Sequence, residues 1–184
     1  MVENNENKLI IACKDKDHQA FAELLNLYRR PLFSYLLRLC QDQSTAEDLF
    51  QETTIKVWKG MDTFDPRYKF GSWLFSIAYR TSVDALRKKK RRSIFRQLDE
   101  LPETPHHHDP LEELTAQETK ALFKKAVRLL SEKQRQVFLM RQHGELSFKE
   151  ISEVMNEPLN TVLSHMHYAV KKIKTFLREN HAIE

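Results

Sequence analysis

Glycine is scarce in this chain, with only three among 184 residues, and this scarcity limits what the backbone can form. Glycine supplies the positive-φ conformations of tight turns and phosphate-binding loops, so a β-sandwich or a Gly-rich nucleotide site would have few places to bend. Charged residues make up 30% of the chain, and apolar residues recur at helical spacing in several segments. The sequence therefore predicts an all-α protein.

Cysteine usage and hydropathy indicate the compartment. The two cysteines, Cys13 and Cys40, match no metal-binding or disulfide spacing, which favours reduced thiols. No apolar run approaches the roughly 18 residues of a transmembrane helix, and the N-terminus lacks the basic start and apolar core of a signal peptide. We therefore expect a cytoplasmic protein without membrane insertion.

Residues 93–117 differ from their surroundings, because they contain three prolines and six acidic residues against one basic residue. The flanking blocks, residues 1–92 and 118–184, each carry more Lys and Arg than Asp and Glu. This pattern predicts two small helical domains joined by a linker that we expect to be flexible. Basic blocks suit a polyanionic partner, although solvated surfaces are often basic as well.

A histidine cluster lies in this linker, at His106, His107, His108 and Asp109. Imidazoles and a carboxylate can ligate a metal, but adjacent side chains in a Pro-flanked segment do not converge on one ion unaided. We expect no metal, no cofactor and no enzyme built on these histidines.

Several residues predict where the helices of the first block begin and end. Asp17 is placed as an N-cap, and Pro31 is expected to kink or restart the helix that follows. Ser44 with Glu47 has the spacing of a capping box, and Gly60 is placed to end that helix in the left-handed conformation. The apolar stripes of these helices predict packing in a common core.

The capped helix after Ser44 has two different faces. Its inward stripe is apolar, whereas the opposite face is polar with one exposed isoleucine; its members are Asp48, Gln51, Glu52, Ile55 and Lys59. Such a face could dock a partner helix, although taken alone it is more typical of a solvated helix.

The densest combination of aromatic and basic residues lies at 64–92, which reads FDPRYKFGSWLFSIAYRTSVDALRKKKRR. Aromatic faces beside Lys and Arg can stack on unpaired bases while neutralising phosphates, although a basic run also suits the C-terminal end of a helix. Ser72 is a predicted N-cap, and Trp73, Arg80, Asp84 and Arg87 share one face of the helix that follows. The stretch predicts an affinity for nucleic acid.

The last block predicts a helix-turn-helix. A first helix is expected to bury Leu122, Ala126, Leu129 and Leu130. Ser147 with Glu150 forms a second capping box, Asn156 suits the left-handed turn, and Pro158 belongs near the start of a new helix. A short capped helix, a tight turn and a second helix with a polar, basic outer face would place that second helix in a major groove.

Three of these motifs, in this order, resemble the bacterial RNA polymerase sigma factors of the extracytoplasmic-function (ECF) group of the sigma-70 family. The helix AEDLFQETTIKVW is similar to the family's core-polymerase-binding segment. The stretch 64–92 is similar to its promoter-melting and minus-ten segment, and LSEKQRQVFLMR through PLNTVLSHMHYAVKKIK resembles its second DNA-binding domain. The resemblance extends from about residue 8 to residue 178.

The resemblance implies sigma domain two in residues 1–92, a linker in 93–117 and sigma domain four, with its helix-turn-helix, in 118–184. It implies no catalytic residues. The partners would be core RNA polymerase, through the β′-subunit coiled coil and the β subunit, promoter DNA and an anti-sigma factor. Core polymerase would be bound by Asp48, Gln51, Glu52 and Ile55. Minus-ten DNA would be bound by Tyr68, Lys69, Phe70, Trp73, Arg80, Asp84, Arg87, Lys88 and Arg91. Minus-thirty-five DNA would be bound by Asn160, Thr161, Ser164, His165, Tyr168, Lys171 and Lys172.

Two departures from the family pattern bear on DNA binding. Arg80 stands where many members have Asn, so the preferred minus-ten bases cannot be transferred from relatives. In the recognition helix, Leu163 and His165 replace two cationic positions, which should weaken phosphate contacts and make binding more sensitive to pH. The competing interpretation is a helix-turn-helix regulator that binds duplex DNA alone, and it leaves the polar helix face and the aromatic loop without a role.

Overall fold

A computed structural model describes the backbone of residues 2–96 and 114–180, and the side chains of residues 5–88 and 121–180. Within these ranges the regular structure is helical throughout, which confirms the all-α prediction. The helices are α1 (Val2–Lys14), α2 (His18–Cys40), α3 (Gln43–Gly60), a 3₁₀ turn (Met61–Thr63), α4 (Phe70–Arg96), α5 (Leu114–Arg128), α6 (Glu132–His143), α7 (Phe148–Met155) and α8 (Leu159–Glu179).

The first four helices pack around a common core, and α1 is an addition that the sequence did not predict. Two hydrogen bonds fasten α1 to the rest of the bundle. The Tyr28 hydroxyl donates to the Glu6 carboxylate over 2.7 Å, and the Lys14 ammonium donates to the Phe64 carbonyl over 2.8 Å. The second bond ties α1 to the loop that precedes α4.

The helix does not restart at Pro31, because α2 continues through it as one helix. Proline removes one backbone hydrogen bond and usually kinks a helix. Residues on both sides of Pro31, including Leu24 before it and Leu32 and Tyr35 after it, are fully buried in the same core. Tertiary packing of both halves therefore holds the helix together, as it does for most helices in proteins.

Helix starts were predicted with mixed success. Asp17 caps α2 as expected, since its carboxylate accepts hydrogen bonds from the backbone N–H groups of Gln19 and Ala20. The capping box at Ser44 is wrong, because α3 begins earlier and Asp42 is its N-cap, accepting from the Thr45 N–H over 2.8 Å. The Asp42 carboxylate thus caps an N–H group of the first turn that has no partner within the helix, and Ser44 already lies inside α3.

The predicted roles of Gly60 and Ser72 are also wrong. Gly60 has a right-handed φ of −91°, and the chain runs directly from α3 into the 3₁₀ turn. A Cβ at Gly60 would lie 3.2 Å from the Trp73 ring, so the missing side chain permits close packing. Ser72 lies inside α4, which begins at Phe70, and is therefore not its N-cap.

Helices α5–α8 form the second unit, and its helix-turn-helix is as predicted. Ser147 and Glu150 form a reciprocal capping box at the start of α7, Asn156 ends that helix with a left-handed φ of 52°, and α8 begins after Pro158. One core prediction fails here. Leu129 is 48% exposed, because α5 ends at Arg128 and its neighbours Val127 and Leu130 occupy the buried positions instead.

Both predicted ends of the linker fall within helices. Helix α4 extends to Arg96, beyond residue 92, and α5 begins at Leu114, before residue 118. The residues between these helices, including the histidine cluster at 106–108 and Asp109, lie outside the part of the chain that the structure describes.

The two units contact each other directly, with α6 against α2 and α7 against α4. Phe75 of α4 is 1% exposed and approaches the backbone at Gly144, where an added Cβ would lie 3.0 Å from its ring. Arg38 of α2 reaches over the ring of Phe123 in α5, 6.0 Å from the ring centroid. The contact between the units is therefore both apolar and polar.

Candidate nucleic-acid interface

The outward face of α3 presents the four residues predicted to bind polymerase. Asp48, Gln51, Glu52 and Ile55 are all exposed, and the Ile55 side chain is 53% accessible. Glu52 forms an i,i+4 ion pair of 2.7 Å with Lys56. An exposed isoleucine beside acidic and amide groups offers an apolar anchor with a polar rim, which is the composition of a docking surface.

The loop between the 3₁₀ turn and α4 presents its charged and aromatic side chains to solvent. Tyr68 is 63% exposed, and Lys69 is exposed beside it. Asp65 and Arg67 pair within the loop at 2.5 Å, and the hydrogen bonds from Arg67 lower the pKa of the Asp65 carboxyl. The loop therefore holds an internally neutralised pair next to an exposed aromatic ring and an exposed cation.

Phe70 does not belong with these exposed residues, and its predicted role in stacking on a base is wrong for this conformation. Its ring is 2% exposed and packs against the rings of Tyr28, Phe64 and Trp73 at centroid distances of 5.4, 5.6 and 5.8 Å. Phe70 is the first residue of α4, so its side chain anchors the loop to the core. Its contribution is to position Tyr68 and Lys69.

Trp73 and Arg80 line a groove of about 330 Å³ along α4. Trp73 is partly exposed and Arg80 is exposed. Loop residues close one side and α7 closes the other; the lining includes Phe64, Tyr68, Lys69, Ser72, Ser76, Glu150, Glu153 and Val154. The helical register thus brings together four of the predicted minus-ten residues in one groove.

The more C-terminal of the residues predicted for minus-ten DNA follow along α4. Asp84, Arg87 and Lys88 are exposed. Arg91 belongs to the helical backbone, but its side chain lies outside the described residues. The described part of this helix therefore continues the groove as a solvent-facing polar strip.

The outer face of α8 carries the residues predicted for minus-thirty-five DNA. Asn160, Ser164, Tyr168, Lys171 and Lys172 are exposed, while Thr161 is half-buried. The Ser164 hydroxyl donates to the Asn160 carbonyl over 2.9 Å, within the helix. The Lys172 ammonium donates to the Leu129 carbonyl over 2.6 Å, so it also ties α8 to the end of α5.

His165 is less available than the other residues of this face. Its Nε2 lies 3.4 Å from a Glu157 carboxylate oxygen, and the other Glu157 oxygen pairs with the Lys133 ammonium at 2.7 Å. Glu157 belongs to the turn and formed no part of any sequence pattern. Sequence reasoning therefore missed that His165 faces an acid within its own domain.

Glu150 is the second group whose role the sequence did not reveal beyond its cap. Its carboxylate accepts hydrogen bonds from the Ser147 N–H and from the Ser72 hydroxyl of α4, both over 2.7 Å, and lies 3.9 Å from the Lys69 ammonium. Burial alone would raise its pKa, but these hydrogen bonds and Lys69 bring the pKa of Glu150 below its ordinary value. Glu150 thus joins the two units.

Two absences concern metal binding and membrane insertion in residues 2–96 and 114–180. Among those residues no group of three or more His, Cys, Asp or Glu side chains is arranged to hold a metal ion. None of the helices within them is both long and apolar enough to cross a bilayer.

Two family models match the chain in the order of its structural units. Residues 24–92 match Sigma-70 region 2, and residues 120–173 match Sigma-70, region 4. The first match includes α3 and the loop and groove of α4. The second includes α6, the helix-turn-helix and most of α8.

Curated relatives resemble the chain over most of its length. The ECF RNA polymerase sigma factor SigL of Mycobacterium tuberculosis is 30% identical, across 80% of this chain and 83% of the relative. SigW of Bacillus subtilis, also an ECF RNA polymerase sigma factor, is 27% identical across 94% of this chain and 96% of the relative.

Solved structures share the fold. The sigma factor RpoE of Bartonella quintana, in complex with the anti-sigma factor NepR, has a TM-score of 0.73 and 24% identity over 86% of this chain and 96% of that chain. CnrH, in complex with the cytosolic domain of CnrY, has a TM-score of 0.70 and 18% identity over 95% of this chain and 98% of that chain. The two region models and the relatives that span both units lead to one assignment: the chain belongs to the ECF RNA polymerase sigma factors of the sigma-70 family.

Proposed function

We propose that this sigma factor is a cytoplasmic transcription initiation factor and not an enzyme, and that it has three binding surfaces with separate roles. The outer face of α3 binds core RNA polymerase, the groove of α4 opens and reads the minus-ten element, and the outer face of α8 reads the minus-thirty-five element. The observation that carries this proposal is the exposed face of α3 on the same domain as the groove, because a regulator of duplex DNA alone would have no use for it.

The polymerase contact is built from Asp48, Gln51, Glu52 and Ile55. Their exposure leaves the face free to receive a helical partner, here the β′-subunit coiled coil, with the β subunit as a second contact. Ile55 would supply the apolar anchor and the carboxylates would select a basic partner. At interfaces, buried apolar groups usually contribute affinity and complementary charges contribute specificity.

Minus-ten opening requires that flipped bases be captured. Unstacking costs a few kcal/mol per base, which stacking and hydrogen bonding in a pocket must offset. Tyr68 and Trp73 offer aromatic faces, and Lys69 and Arg80 offer cations at the same groove. Arg87 and Lys88 would then hold the phosphates beyond the groove, with Asp84 beside them as a hydrogen-bond acceptor.

Helix α8 would recognise the minus-thirty-five element. Asn160, Thr161, Ser164, His165 and Tyr168 stand on the face that would enter the major groove, and Lys171 and Lys172 would contact phosphates near its end. Because Leu163 is apolar where the family has a cation, electrostatic affinity in this half of the site would be weaker than usual.

An anti-sigma factor is a further proposed partner. Two structural neighbours, with TM-scores of 0.73 and 0.70, were both solved in complex with a second protein, which is named as an anti-sigma factor in one case. The same arrangement of regions in this chain supports a regulator of that class.

Run-off transcription with core RNA polymerase tests the proposal. We expect the wild-type protein to give promoter-specific transcripts from cognate upstream DNA, whereas core polymerase alone gives none. If the protein binds duplex DNA but never adds a promoter-specific start, the helix-turn-helix regulator is the better description and the polymerase-docking role of α3 is lost.

A further inference from the structure

Two exposed leucines lie near the N-terminus of α8. Leu159 is the first residue of the helix and is 43% exposed, and Leu163, one turn later, is 41% exposed. Residues four apart are neighbours on a helix surface, so these two side chains form one apolar patch. Covering that patch with an apolar group of a partner would be favourable, because it removes apolar surface from water.

The buried face of α8 keeps this patch in solvent. Val162, Ala169 and Ile173 are buried in the core of the second unit and fix the rotation of the helix about its axis. Leu163 follows Val162 by one residue, which turns its side chain about 100° away from that buried residue. The leucine therefore cannot turn inward and is covered only when a partner binds α8.

The N-terminal half of α8 also lacks charge. No Lys, Arg, Asp or Glu occurs in residues 159–170, and the first lysine of the helix is Lys171. The commonest specific contact in a major groove is the bidentate one from Arg or Lys to O6 and N7 of guanine. The first three turns of α8 have no side chain for this contact, so base discrimination there depends on uncharged polar groups and on apolar contact.

The lysines of α8 indicate where the patch would lie on DNA. Lys171 and Lys174 are exposed, and at 3.6 residues per turn they lie about 80° and 20° from Leu163 around the helix axis. They also lie about 12 and 16 Å further along it, and the major groove is about 12 Å wide. With these lysines at the phosphates, Leu163 would lie towards the bases, as N-terminal residues of recognition helices usually do.

Thymine is the base that presents an apolar group in the major groove, its 5-methyl group. We infer that Leu163, with Leu159 beside it, is a specificity-determining residue that contacts a thymine methyl group in the minus-thirty-five element. The inference rests on the proposed function for the placement of α8 in the major groove. It adds the feature of the base that this helix recognises.

Deoxyuridine lacks only the 5-methyl group of thymidine, so it tests the contact directly. A promoter library with a randomised minus-thirty-five element supplies an active sequence for holoenzyme assembled from core RNA polymerase and the full chain. Each thymine of that element is then replaced by deoxyuracil, and affinity is measured by fluorescence anisotropy. We expect a loss of about fourfold at one or two positions, the size expected for one methyl group. Equal affinities at every position would overturn the inference.

The variant Leu163→Ala identifies the residue that contacts the methyl group. It should bind the thymine-containing promoter about fourfold more weakly and should no longer distinguish it from the deoxyuracil-containing one, because both changes remove the same contact. Leu27→Ala is the matched control, since Leu27 is 48% exposed on α2, and it should keep the full difference. If Leu163→Ala also keeps the difference, another residue contacts the methyl group and the inference is wrong.

A second variant, Leu163→Lys, separates loss of the methyl contact from general weakening. The added cation should raise affinity at low salt, yet this variant should also fail to distinguish thymine from deoxyuracil. Retained discrimination would contradict the assignment of Leu163.

Run-off transcription on the same templates separates this inference from the proposed function. Promoter-specific starts without any effect of the methyl group would overturn the role of Leu163 alone. The absence of promoter-specific starts on every template would remove the proposed function, and this inference with it.

Discussion

Acidification should destabilise this protein through one histidine at the boundary between its units. His143 is the last residue of α6, and burial, reinforced by the nearby Arg38 guanidinium, lowers its pKa from 6.5 to about 4. The lowered pKa means that the folded, closed protein disfavours the imidazolium. The stability that a neutral His143 permits is therefore fully present above pH 6.5 and is lost as the pH falls from 6.5 towards 4.

The two pKa values set the size of the effect. Between pH 7.5 and pH 5 the linkage relation gives a loss of about 2 kcal/mol in the free energy of unfolding. Part of the ring remains solvent-accessible, so screening reduces the expected loss to about 1 kcal/mol. That is a substantial fraction of the few kcal/mol by which small domains are usually stable.

The contribution of His143 to the free energy of unfolding can be isolated with the variant His143→Gln. Urea unfolding of both proteins is followed by circular dichroism from pH 8 to pH 5. Acidic side chains titrate in both proteins, so their effect cancels in the difference between the two curves. We expect similar stabilities at pH 8, where the wild-type imidazole is neutral, and a variant that gains on wild type by about 1 kcal/mol at pH 5. A difference that is constant across this range would refute the assignment of His143 as a buried neutral group.

Two substitutions test the binding surfaces. Glu52→Lys reverses a charge on the exposed face of α3 and should weaken the pull-down of core polymerase while sparing DNA binding. Glu23→Lys on α2 serves as the matched control, and unchanged pull-down by Glu52→Lys would place polymerase elsewhere. For minus-thirty-five DNA, Lys171→Ala should reduce the steepness of the plot of log affinity against log salt concentration by roughly 0.9. Lys172→Ala should have the same effect and should also lower the melting temperature, because the Lys172 ammonium donates a hydrogen bond to the Leu129 carbonyl. An unaltered slope in fluorescence anisotropy would mean that these lysines do not touch DNA.

Local chemistry explains which elements could be predicted. The side chains of Ser147 and Glu150 each accept a hydrogen bond from the other residue's backbone N–H, and Asn156 tolerates a positive φ. The helix-turn-helix is therefore encoded within a dozen residues. Asp17 is recognisable for the same reason. Motif order was equally informative, because it distinguishes a two-domain initiation factor from an isolated DNA-binding module.

The failures share a different cause. Pro31 lies within an unbroken helix because residues on both sides of it are buried in one core. Phe70 is buried, unlike the loop residues proposed to face DNA, because three aromatic rings surround it. Gly60 serves close packing by Trp73 rather than a left-handed turn. Each outcome depends on neighbours distant in sequence, which periodicity and capping rules do not include.

The sequence by itself therefore determined the helical class and the helix-turn-helix motif, and it predicted the surfaces proposed for polymerase and DNA, because these follow from short-range spacing and composition. Only the tertiary structure decided which of those residues are accessible. Glu150 illustrates the difference: its capping role is visible from Ser147 three residues earlier, but its contact with Ser72 spans 78 residues and exists only when the two units meet. Whether the groove proposed for minus-ten DNA is open or lined by α7 is a property of that long-range contact.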